Sequence, residues 1–98
     1  MEVLASVIKM GDRKHLILYY SRHSTVCSEL FDKISNQKGL IELLGMTVLS
    51  IDSPEARQWL IDHRPGIITA VPCLEIDYFN RDMQFIIGFD KIVTYLGL

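Results

Sequence analysis

The chain of 98 residues holds only two cysteines, Cys27 and Cys73, together with three prolines and one tryptophan. Two cysteines so far apart make no disulfide framework and match no zinc-ligand spacing, so a reducing, cytoplasmic compartment is expected and no bound metal. Long apolar runs are missing as well. LILYY and IITAV fall far short of the roughly 20 residues of a membrane span, and MEVLASVIKMGDRKH has neither a basic leader nor a small-residue cleavage site. An excess of positive charge is also absent. Ten basic residues against twelve acidic ones give a net charge of −2, and their scatter along the chain argues against a nucleic-acid partner.

What is present fits one compact domain. Hydrophobic residues make up 49% and charged residues 22% of the chain, enough for a single modest core. The mean hydropathy of +0.22 leaves apolar surface over for an interface, with a protein partner or a homodimer as the partners to expect. No repeat, low-complexity tract or long linker divides the sequence.

Periodicity sets the order of elements. The continuous run Leu16-Ile17-Leu18-Tyr19-Tyr20 reads as a strand covered on both faces. After it, Val26, Leu30 and Ile34 recur at helical spacing beside Cys27 and Phe31, so a helix is expected over 25–37, capped by Ser24 and ended near Asn36 and the Lys38-Gly39 pair. A second strand is expected over 46–51, and a second helix from Ser53 as cap and Pro54 as first residue, with Ala56, Trp59, Leu60 and His63 inward. Trp59 is expected in the core. A hairpin over 73–87 turning at Asn80-Arg81-Asp82 and a closing amphipathic helix over 89–96 complete a β-α-β-α-β-β-α chain. The first βαβ unit requires a parallel pair and a right-handed crossover, and the hairpin adds antiparallel strands. An α/β fold follows: a mixed four-stranded sheet with helices on both faces, over 14–98, preceded by an N-terminal arm or extra strand over 1–13.

Alternation in the third strand puts Cys73, Glu75, Asp77 and Phe79 on one face and Leu74, Ile76 and Tyr78 on the other. Two carboxylates on an internal face imply either a half-exposed strand end or a basic residue that reaches them, with Lys91 and Arg81 the candidates. The polar rim of an oligomer interface is the alternative.

The strand-to-helix turn ending in Cys27, the tripeptide Ala70-Val71-Pro72 and the Gly88-Phe89-Asp90 turn, in that order over 14–96, resemble the glutaredoxin branch of the thioredoxin-like family. The sequence is also similar to divergent thioredoxin-like proteins of large DNA viruses, which would place it in the virion or host cytoplasm. The resemblance implies a thioredoxin-like fold with a cis proline at Pro72, a Cys-x-x-Cys or Cys-x-x-Ser motif falling on Ser24 to Cys27, and a glutathione-carboxylate site at Gly88 and Asp90. A serine therefore stands where the attacking cysteine belongs. Its hydroxyl is too weak an acid to ionise there, and oxygen does not exchange with disulfides.

Several readings of Ser24-x-x-Cys27 follow. In one, Ser24 is a helix cap, Cys27 a small buried hydrophobe, and the domain a degenerate module that binds a protein through a groove formed by Arg22, His23, Thr25, Val71 and Pro72. In another, Cys27 is itself reactive, its pKa lowered by the helix terminus with Arg22 and His23 as sources of positive charge. In a third, Cys27 and Cys73 act as a redox pair, giving a thiol-disulfide oxidoreductase with Ser24, Cys27 and Cys73 as site residues. In a fourth, Ser24 is an introduced Cys→Ser exchange over a native Cys-Thr-Val-Cys. A metal site from Cys27, Cys73 and His23 is the weakest signal. Asp90 reads either as a ligand for a peptide or glutathione end group or as an ordinary first-turn acid.

Overall fold

The computed structural model describes residues 13–68, 70–78 and 82–98, with side chains from His15 onward. The expected arm over 1–13 lies outside them except for Arg13, which opens the first strand, and so do Phe79, Asn80 and Arg81 at the hairpin turn.

Strand β1 (Arg13–Tyr20) is followed by helices α1 (Thr25–Ser35) and α2 (Leu40–Leu44), strand β2 (Met46–Ser50) and helix α3 (Pro54–His63). Strands β3 (Cys73–Tyr78) and β4 (Gln84–Ile87) and helix α4 (Phe89–Leu96) complete the chain. The strands form one four-stranded sheet in the order β2-β1-β3-β4. β1 runs parallel to β2 and antiparallel to β3, and β4 pairs antiparallel with β3. The mixed sheet and the hairpin are those expected from the sequence.

Register divides the sheet into two unlike faces. On the first, Leu16 lies beside Met46 and Ile76, and Leu18 beside Val48 and Leu74. Leu30 and Ile34 of α1, Leu40 and Leu44 of α2, and Ile92 and Leu96 of α4 close over them as one buried aliphatic cluster. Each such side chain, fully buried, is worth about 1.5–3 kcal/mol. On the second face, Ile17 lies beside Thr47 and Glu75, and Tyr19 beside Leu49 and Cys73.

Three local details depart from the sequence reading. The inner face of α1 is Cys27, Leu30 and Ile34, whereas Val26 is 43% exposed, because one residue turns the helix by about 100° and the buried stripe follows the i, i+3, i+7 positions. Helix α2 is an addition. It is a single turn between Gly39 and Gly45, both in the left-handed region at φ 77° and 61°, and it buries Leu40 and Leu44. Helix α3 begins on Ser53 and Pro54 as expected but has no buried residue, and Trp59 is 36% exposed, outside the core. Its ring instead lines an open groove with Ile17, Leu49 and Ala56 and stacks on His63 at 4.6 Å between centroids. A periodic apolar face locates the inward side of a helix without fixing how deeply that side is covered.

Candidate functional site

The C-terminal end of β1 and the start of β3 are neighbours, since Tyr19 pairs with Cys73. The turn that leaves β1 and the loop that enters β3 therefore emerge at the same end of the sheet.

That turn is held by a carboxylate. Ser21 Oγ donates to Asp52 Oδ1 at 2.6 Å, and Asp52 Oδ2 accepts from the Arg22 N–H at 2.8 Å and from Ser50 Oγ at 3.0 Å. The His23 N–H donates to Ser21 Oγ at 3.2 Å. The hydrogen bonds from Ser21 and Arg22 are the main reason the Asp52 carboxyl is held down to about 2. Arg22, His23 and Thr25 are exposed around this knot. The sequence reading did not single out Asp52; its only signal was a pair of serines, Ser21 and Ser50, at the ends of two strands that prove to be parallel neighbours.

Ser24 sits at φ −96° and ψ 120°, and its Oγ accepts the Cys27 N–H at 3.2 Å. This satisfies one of the donors that a helix N-terminus leaves unpaired. The Cys27 side chain is 1% exposed and turned inward. Cys73 is 0% exposed, and burial, with the nearby Glu75 charge adding to it, pushes its thiol up to about 11. Both cysteines are free. The Cys27–Cys73 pair of the third reading is not joined in this structure: α1 lies over the first face, whereas alternation in β3 turns Cys73 to the second, beside Tyr19. Among the described residues no three His, Cys, Asp or Glu side chains converge as metal ligands, so Cys27, Cys73 and His23 do not make such a group.

The Val71-Pro72 peptide is cis. The Gly88 N–H donates to the Pro72 carbonyl at 3.1 Å, which ties the loop before β3 to the start of α4, and Gly88 adopts φ 109°. Among the described residues Val71 enters no backbone hydrogen bond. Its side chain lines an apolar pocket of about 270 Å³ with Ile51, Leu60, Ile68 and Ala70. Asp90 is exposed in the first turn of α4 and lines a different depression, with Ile86, Lys91, Thr94 and Tyr95. The site residues thus fall into three places: the Ser24 turn, the Val71 pocket at the same end of the sheet, and the flank of α4.

The second sheet face holds a polar network that corrects the expectation for Glu75. Glu75 is fully buried, not at a half-exposed strand end. Lys91 does not neutralise it, being exposed on α4; Arg81 is outside the described residues, and among those the partner is Arg64 at the end of α3. Arg64 Nε donates to Oε1 at 2.8 Å and Nη2 to Oε2 at 3.0 Å, while Tyr19 Oη donates to Oε1 at 2.8 Å. Burial alone would raise the Glu75 pKa; the hydrogen bonds from Arg64 and Tyr19 outweigh it and hold it below the ordinary value. The Tyr19 phenol is pushed well up, by burial first and then by Glu75. Asp77 is raised by burial and by Glu75, and its Oδ1 is buried without a hydrogen-bond partner among the described residues.

No protein-family model matches the chain, and no curated protein matches it. Among solved structures it is similar to the solution structure of a thioredoxin from Thermus thermophilus, with a TM-score of 0.56 and 17% identity over 98% of this chain and 79% of that one. No helix among the described residues is long and apolar enough to cross a membrane. The strand order, the crossover and this likeness together identify the architecture as the thioredoxin-like fold.

Proposed function

We propose that the chain is a degenerate, glutaredoxin-like module that binds an extended segment of a partner protein in the groove between residues 24–27 and Val71-Pro72, without thiol-disulfide turnover. One observation carries this reading. At the helix N-terminus, where a stabilised thiolate would attack, there is a hydroxyl already engaged as a cap, and both thiols of the chain are buried. Disulfide exchange needs an accessible thiolate.

Two further features support binding. The Val71 peptide is available for strand-like pairing. The pocket beside it is apolar and of a size to take one aliphatic side chain of the bound segment. Glutathione, itself a short peptide, is a weaker occupant of the same groove. Two free thiols fit a reducing compartment such as the cytoplasm.

The test combines labelling, turnover and binding. The native protein is expected to resist alkylation at mildly acidic pH and to reduce no insulin disulfide, while Ser24→Cys labels rapidly and gains turnover. Titration with glutathione or an extended aliphatic peptide is expected to shift amide resonances at residues 24–27 and 70–72. Rapid labelling of Cys27 in the native protein would restore the oxidoreductase reading, and unmoved resonances at saturating peptide would remove the groove.

A further inference from the structure

Three of the five residues that line the Val71 pocket, Ile68, Ala70 and Val71, belong to the linker that joins α3 to β3. Its far end is fixed where the Pro72 carbonyl accepts from Gly88. Its near end begins at Arg64, and the contacts of that residue are unusually many. The Arg64 N–H caps α3 on the Leu60 carbonyl at 2.7 Å, and its own carbonyl accepts from the Ile67 N–H at 3.3 Å. The guanidinium forks over both oxygens of Glu75, donates to the His63 carbonyl at 2.9 Å and lies 5.2 Å from the centre of the Trp59 ring. No residue of α3 is fully buried, and its apolar contact is limited to half-buried side chains such as Ala56 and Leu60, so the ion pair adds to a thin apolar seat for the helix and the linker.

We propose that Arg64 is a positioning residue for the partner groove: its bidentate contact with Glu75 closes the base of the 65–71 linker and so fixes Ile68, Ala70 and Val71 in the arrangement that receives a bound segment. Glu75 is in β3, the strand into which the linker runs, so the ion pair joins the start of the loop to the element that follows its end. Closing a segment at both ends removes part of its conformational freedom. A buried ion pair suits this role, because it contributes little net stability compared with apolar packing but tolerates one geometry. The planar fork of arginine sets that geometry, and the point charge of lysine does not. The purpose assigned to the linker rests on the groove reading; its order does not, and is measurable with no partner present.

Nitrogen-15 relaxation of the whole chain tests the proposal. In the native protein the amides of Ile67, Ile68, Ala70 and Val71 are expected near the rigid order parameter of about 0.85, and in Arg64→Lys below about 0.6, with β1 and β3 unchanged. The double variant Arg64→Met/Glu75→Leu, which leaves no buried charge, is expected to stay folded and to show the same local loss, so the test survives if Arg64→Lys does not fold. A linker already mobile in the native protein, a linker still rigid in both variants, or a loss of order spread evenly over the sheet each overturns the proposal. Failure of peptide binding with the relaxation result intact overturns only the groove.

Discussion

The two faces of the sheet are built from opposite materials. The first is apolar, with a buried cluster mostly of leucine and isoleucine and three helices laid over it. The second carries Glu75, Tyr19 and Asp77 and is met by a helix with no fully buried residue. Dry packing is forgiving of shape and supplies most of the stability. A buried ion pair is the reverse: it adds little when present and costs much when half of it is removed. The contrast teaches that the fold of this chain rests on one face while the shape of its candidate site rests on the other.

The largest effect is expected where the second face is broken on one side only. Arg64→Ala leaves a fully buried carboxylate unpaired and should cost about 3–5 kcal/mol, whereas Arg64→Met/Glu75→Leu should come close to the native stability, both read by urea unfolding. If the single and double variants lose the same amount, the second face contributes by packing and the contrast fails. Somewhat smaller is Leu30→Ala on the first face, at about 2–5 kcal/mol, with no partner substitution able to restore it.

The smallest effect is in pH, and its sign differs between two carboxyls. The folded pKa of Glu75 lies below its unfolded value, about 4.3, so its contribution is present above that value and is lost as pH falls through the folded one. Asp77 is raised above about 3.9, so its contribution is present below that value and is lost as pH rises through the folded one. Urea midpoints should therefore peak at about pH 4, near the two unfolded values, and Asp77→Asn should flatten the decline towards neutral pH. Leu30→Ala should lower the whole curve in parallel; a change in its shape would show that the faces are coupled.

Much of the fold was legible in the sequence because the signals were local. The run at Leu16, the cap at Ser24, the Ser53-Pro54 start and the Gly88 turn each specify structure over a few residues. Helix α2 escaped because Leu40 and Leu44 make only one turn between two glycines, too short for periodicity to register. The site was less legible. Glu75 and Arg64, or Ser21 and Asp52, meet only after the strands have taken their order, and no residue type announces its partner in advance. The exposure of Trp59 shows the same limit from another side, since a helix face can point towards the sheet and still leave an open groove among the described residues.

Gly88 carries one more consequence. A Cβ placed there meets nothing within 4 Å among the described residues, yet φ 109° and ψ 148° belong to a region that side-chain-bearing residues rarely enter. Room and permission part company at this position. Any alanine that drifted in would find space around it and still pull the backbone off the Pro72 carbonyl, so among tolerated variants of this chain the residue should look frozen for a reason that no map of crowding would reveal.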